Sequence, residues 1–264
     1  MNFKSSNSYK DFSHAKINTR RYHHNEVDNF FLEALLATSK DREKTLPKGV
    51  PFWRAQLGET LIDVPRPVYD DEGDEIGTAT DSRRSHYSKE RMKPCRESVT
   101  AGRANPKGIP YLYLSSKEET AITEIRPWMN SSISIGEFKI NKDLHIINCT
   151  VLPSKNRTYK NYSKLPQEKR DELKVWADIE DAFCEPISQF DNVLHYIPTQ
   201  CIAEFFKSKK FDGIAYKSST KIGFNVVLFD LNVADLVACE LKYVTSVKFK
   251  FESLDEPYGF TNYT

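Results

Sequence analysis

Hydrophobic residues recur at helical spacing over residues 26–39, where Val27, Phe30, Phe31, Leu35 and Leu36 trace one stripe. That spacing predicts a helix laid on a core. The residues ahead of it are polar, with Arg20, Arg21, His23 and His24 close together, so residues 1–50 read as an extension with one helix. Pro47 and Pro51 bracket a connector into Phe52-Trp53-Arg54-Ala55, the start of a strand. In Tyr111-Leu112-Tyr113-Leu114 the leucines take one strand face and the tyrosines the other. The next helix is predicted to open near Lys117, with Ser116 and Glu119 at capping-box spacing. Pro127 stops it, and Ala121, Ile122 and Ile125 form its inward stripe.

Farther along, 134–140 and 144–151 alternate as two paired strands. Helices are predicted around 167–183 and 199–207, the second with Ile202, Phe205 and Phe206 inward. Strands at 211–216 and 224–230 are joined by a turn over 218–223, a last strand falls at 244–251, and a loose tail follows Leu254. Strands and helices mix without strict alternation, which predicts an α+β fold rather than a doubly wound sheet.

Charge changes this picture in one place. Residues 63–98 run from acidic (Asp70 to Glu75) to basic (Arg83, Arg84, Lys89, Arg91, Lys93, Arg96) with little apolar content, the signature of a solvated insertion. The remainder of the 264 residues, 39% hydrophobic with 16 Phe and 13 Tyr, supplies a sizeable core. A net charge of +1 gives no global signal for nucleic acid or a membrane surface. The five cysteines are scattered and form no C-x-x-C pair, which reads as reduced thiols. With no apolar leader and no stretch of membrane-spanning length, a cytoplasmic protein is expected.

Candidate chemistry concentrates in residues 101–127. Glu124 falls at the border of its helix stripe: either a partly desolvated carboxylate aimed along the sheet, or a surface acid paired with Arg126 or a lysine. Arg103 sits in the Gly102–Gly108 loop, where a rigidly held guanidinium suits a pyrophosphate. A solvated loop arginine is the plainer alternative. The tyrosine face is either a stacking wall or a second packed layer. Together an anion binder, a ring and a carboxylate suit a nucleotide such as NAD. H-E-x-x-H, zinc-spaced Cys/His and G-x-S-x-G are all missing from the sequence, and the histidines are dispersed, so no metal site is expected.

Read together, Phe52–Ala55, Gly102–Leu114, Glu119–Glu124, Phe211–Ser219 and Asn225–Phe229 resemble the RES domain family, in order and over most of the chain. The resemblance implies a fold similar to ADP-ribosyltransferases, mixed sheets with flanking helices, and a catalytic domain over 51–252. It also implies the activity of the family's studied members, toxins that degrade NAD and are held in check by a protein antitoxin. NAD is then the substrate, with no cofactor. Carried over by position, Arg54 and Arg103 correspond to the arginines that hold the phosphates and Tyr113 to the pocket tyrosine. Glu124 corresponds to the catalytic carboxylate, Ser218 or Ser219 to the site serine, and Asn225 is a further candidate for binding NAD.

Ala104 departs from the bulky residue usual after the loop arginine, and the insertion lengthens the interval from Arg54 to Arg103. Cleavage of the nicotinamide–ribose bond with water or phosphate as acceptor is the expected reaction. Transfer of ADP-ribose to a protein or nucleic acid, and nucleotide binding without catalysis, are the alternatives. A homo-oligomer is compatible with the sequence.

Overall fold

The computed structural model of the chain describes residues 1–150, 163–185, 193–219 and 222–248. Two helices open it, α1 (Ser8–Asn18) and α2 (Glu26–Thr38), where the hydrophobic pattern predicts one. α1 escapes the pattern because its buried face is Tyr9, Phe12, Ala15 and Lys16. A lysine reads as solvent-facing until its partner is known, here Asp28 at 3.0 Å. α2 carries the capping box its sequence encodes, with Asn25 and Asp28 exchanging side-chain and backbone bonds.

Ten strands follow among the described residues: β1 (Glu43–Leu46), β2 (Pro51–Leu57), β3 (Thr60–Tyr69), β4 (Glu75–Ser85), β5 (Leu112–Ser115), β6 (Ser132–Ile140), β7 (Leu144–Asn148), β8 (Gly213–Lys217), β9 (Phe224–Leu228) and β10 (Ala234–Tyr243). Helices α3 (Lys89–Met92), α4 (Glu118–Glu124), α5 (Gln167–Cys184) and α6 (Ile197–Ser208) lie between them. Eight strands form one sheet in the order β1-β7-β8-β9-β5-β2-β6-β10. Among the described strands only β7 and β8 run parallel. A parallel pair needs a crossover, and this one carries α5 and α6. The class is α+β, as the element pattern predicts.

Strand alternation splits the core into two layers. On one sheet face Tyr111, Ile147, Ile214, Tyr216 and Val227 pack beneath the helices, against Phe12, Phe31, Leu35, Trp176, Phe183 and Phe206. On the other, Phe52, Leu112, Leu114, Phe138, Val226 and Leu228 meet. α4 docks separately, with Ala121 against Ala55, Ile133 and Ile135.

Several expectations are corrected. The strands at 134–140 and 144–151 do not pair with each other: β6 lies between β2 and β10, and β7 between β1 and β8. Their short connection suggests a hairpin, but β6 pairs with β2 and β10 while β7 is drawn to β1 and β8. The charged insertion is largely exposed, as expected, yet it forms regular structure, and its Met92 is buried in the core. β3 and β4 make an antiparallel hairpin whose turn is closed by Asp70, which accepts bonds from the Glu72 and Asp74 amides. The last described strand is β10, with Val244–Lys248 irregular after it. Its charged Asp235, Glu240 and Lys242 mask it in the sequence, as is common for edge strands. Residues 249–251, the tail after Leu254 and nearly all of the loop expected at 153–164 lie outside the described residues.

The capping box at α4 does not form. The Ser116 hydroxyl instead accepts a bond from the Phe224 amide at 2.9 Å, and Lys117 caps without a side-chain bond. The first amide of β9 needs an acceptor just where the ladder ends, and Ser116 is the group within reach.

Candidate active site

Into and along β5 one sheet face passes from apolar to polar: Tyr111, just ahead of the strand, is fully buried in the core, Tyr113 is half-buried, and Ser115 closes the strand. Ser115 stands directly opposite Asn225 on β9, and Tyr216 of β8 faces Asn225 from the next strand. Directly opposed residues share a face, so three strands deliver Tyr113, Ser115, Asn225 and Tyr216 to one patch.

α4 ends at Glu124, over this patch. The Glu124 Oε1 accepts two bonds of 2.8 Å, one from the Ser218 hydroxyl just beyond β8 and one from the Asn225 amide. Asn225 Oδ1 in turn accepts from the Ser115 hydroxyl at 2.7 Å. An acid in the last turn of a helix sits at the negative end of the dipole, where it gains nothing from the helix. Glu124 is held instead by neutral donors from β9 and from the residue that follows β8.

Ser218 is therefore the serine brought to the carboxylate. Ser219 is half-buried beside it and has no bond to Glu124 among the described residues. The end of β8 is fixed from below, since Lys217 pairs with the buried Glu180 of α5 at 2.8 Å. Burial raises the Glu180 carboxyl above its usual range, against the pull of Lys217.

Glu124, Asn225, Tyr113, Arg54 and Arg103 border one cavity of about 250 Å³, together with Trp53, Ser115, Tyr196 and Tyr216. Arg54 donates from Nη1 to the Tyr113 carbonyl at 3.1 Å, while its buried Nε has no hydrogen-bond partner among the described residues. Burial lowers its guanidinium to about 10, and among the described residues no carboxylate offsets that loss of water. Arg54 is a cation set into a cavity wall with spare donors.

Arg103 stands differently. Its Nη1 donates to the Phe183 and Glu185 carbonyls at the C-terminal end of α5, a cap that complements the helix dipole. The loop around it is tied down by Gln200, which donates to the Gly102 and Asn105 carbonyls, and by the Tyr113 hydroxyl. That hydroxyl accepts from the Ala104 amide at 2.9 Å and donates to Asn105 Oδ1 at 2.8 Å. Burial pushes the Tyr113 phenol well above its usual range. A Cβ on Gly102 would come within 2.5 Å of Asn105 Oδ1 and 2.9 Å of the Tyr113 hydroxyl, so a larger residue there would push both groups out of place.

With this geometry in view, residues 78–252, about two thirds of the chain, match the RES domain. The chain belongs to the RES domain family. The matched span opens inside β4, and β1 and β2, which complete the sheet of this RES domain protein, precede it. No curated protein matches the chain. Among solved structures, a chain of the M. tuberculosis MbcT–MbcA toxin–antitoxin complex is similar at 12% identity and a TM-score of 0.38, over 79% of this RES chain and 92% of its own length.

Sequence reasoning missed Ser115, Tyr196, Tyr216 and Trp53. The alternation of Tyr111 and Tyr113 did extend to Ser115, two residues on, and that was the available signal. Tyr196 had none. It closes a 3-10 turn, Val193–Tyr196, ahead of α6 and reaches the cavity only through the tertiary fold. Among the described residues no cluster of His, Cys, Asp and Glu has the arrangement of a metal site, and no helix is long and apolar enough to cross a membrane.

Proposed function

We propose that this RES domain protein cleaves the nicotinamide–ribose bond of NAD and acts as a toxin restrained by a protein antitoxin. The observation that carries the catalytic part is a pairing within one cavity: a carboxylate oriented by neutral donors, and a desolvated arginine without an acidic partner among the described residues. The antitoxin rests on family membership alone.

The chemistry follows from charge. Breaking the C–N bond sends its electron pair to nicotinamide and leaves positive charge on the ribose, an oxocarbenium-like state. A carboxylate near that charge or the ribose hydroxyls stabilises the transition state more than the bound substrate. Glu124 takes this role, with Ser218 and Asn225 holding its Oε1. Arg54 gives its spare donors to the pyrophosphate, turning binding energy into placement. Arg103 serves the same anion from the rim while capping α5, and Tyr113 borders the nicotinamide ring and shapes the loop. The cavity, about 250 Å³, lies just below the usual range of roughly 300–1,000 Å³ for ligand pockets. It suits the nicotinamide riboside half of NAD, with the adenosine half outside.

The test is NAD consumption by the wild type and by Glu124→Gln, with folding checked by circular dichroism and products analysed with and without phosphate. Free ADP-ribose marks hydrolysis, its phosphorylated form phosphorolysis, and labelled macromolecules a transferase. The variant should lose about 10²–10³ in turnover, if its carboxylate compares with an oxyanion-hole donor. A folded Glu124→Gln protein with undiminished turnover, or a wild type that leaves NAD intact, would sink the proposal.

A further inference from the structure

The structure assigns Ser115 as a positioning residue for Glu124, acting through Asn225. This rests on the reading of Glu124 as the acting carboxylate. An ionised carboxylate only accepts hydrogen bonds, so the group Asn225 turns toward Glu124 must be its NH₂. The Asn225 carbonyl oxygen is thereby turned the other way, and the Ser115 hydroxyl meets it at 2.7 Å. Both residues are 5% exposed, so water does not readily replace that donor.

The direction of the chain, Ser115 to Asn225 to Glu124, is set by the acceptor at its end. It does not depend on how the two ends of the amide were assigned. Without the serine hydroxyl, the amide oxygen is left buried and unpaired. Nothing then holds the amide in one orientation, and in the flipped one it would set its oxygen against the carboxylate. The carboxylate would then lose its second support and swing on Ser218 alone.

The fold makes this placement specific. Ser115 is the last residue of β5, opposite Asn225 on one side and paired with Trp53 of β2 on the other. Its backbone is thus clamped between two strands while its side chain shares a face with Asn225. Among the described residues, the hydrogen bonds to Glu124 both end on Oε1. The two supports therefore define the carboxylate plane and leave Oε2 as the oxygen to present to the ribose.

The experiment compares wild type, Ser115→Ala and Ser115→Thr, which keeps the hydroxyl. In Ser115→Ala the chain should stay folded, with kcat for NAD lower by about tenfold to a hundredfold and KM within about twofold. Ser115→Thr should restore most of kcat. In parallel, ¹⁵N spectra of the full chain without substrate follow the Asn225 side-chain amide, identified by its loss in Asn225→Asp. Its proton pair should move in Ser115→Ala and keep its place in Ser115→Thr. An unchanged kcat or an unmoved Asn225 signal in Ser115→Ala overturns the assignment, as does a loss of kcat that threonine fails to rescue. If the wild type leaves NAD intact, the proposed activity falls, and the Asn225 signal alone decides the role of Ser115.

Discussion

Asp28 in the helical layer and Glu124 at the end of α4 are both carboxylates drawn away from bulk water, and each borders a cavity, of about 190 and 250 Å³ respectively. Concavity does not tell them apart; the sign of their neighbours does. Asp28 receives two cations: Lys16 at 3.0 Å and Arg20 through bonds of 2.9 and 3.0 Å. It caps α2 as well. The Lys16 ammonium, fully buried, also reaches the His23 carbonyl at 2.9 Å, so the cluster closes on itself. Among the described residues Glu124 has only neutral donors, and Arg54, the half-buried cation of its cavity, has no acid. A saturated cluster pins helices together, whereas a divided one leaves both charges free to meet a ligand.

The comparison breaks first, and most strongly, at Asp28. Asp28→Asn strips the partner from a fully buried lysine, and removing one member of such a pair typically costs about 3 kcal/mol or more. Chemical denaturation should show that loss, while the turnover of the fraction still folded stays near wild type. A stable Asp28→Asn protein with impaired turnover would invert the assignment of the two clusters.

Arg54→Met sharpens the other side. Removing a desolvated charge that has no acidic partner should leave the melting temperature unchanged or higher, because the cost of burying it disappears. Binding should suffer instead. Charged hydrogen bonds contribute about 1.5–3 kcal/mol, so KM for NAD should rise about tenfold to a hundredfold with kcat less affected. A variant that melts early would make Arg54 a structural residue of the same kind as Lys16.

These two clusters were unequally legible in the sequence. Glu124, Asn225, Arg54 and the serine pair at 218–219 came from ordered motifs, and the structure brings Glu124, Asn225 and Ser218 within hydrogen-bonding distance. The saturated cluster was invisible. Lys16 and Asp28 each look like surface charges until α1 and α2 are packed together, and a lone apolar triad at Tyr9, Phe12 and Ala15 is too short a stripe to declare a helix. Pairing failed for a related reason. Alternation in 134–140 and 144–151 reveals strands but not neighbours, since partner choice is settled by which apolar faces complete the sheet. Ser116 was misread because a hydroxyl at cap spacing is also available to a neighbouring strand, and the β9 amide claimed it. Motif residues survive such competition because their chemistry is named in the sequence; supports such as Ser115 are not.

The smallest expected effect, and the finest division between the clusters, is in acid. Burial alone would raise the Asp28 carboxyl, but the bonds from Arg20 and Lys16 outweigh it and hold it below its usual value. A carboxylate depressed in the folded state binds fewer protons there than in the unfolded chain. Its stabilisation is therefore complete above the unfolded value, about 3.9, and is lost as pH falls through the folded one. Other acids titrate in wild type and in Asp28→Asn alike, so the difference between the two isolates Asp28. Melting curves should show that difference holding near pH 5 and narrowing below about pH 4, as protonation does to the wild type what the substitution has already done. A gap that stays constant down to pH 3 would mean that Asp28 stabilises the helices through its capping bonds rather than through its charge.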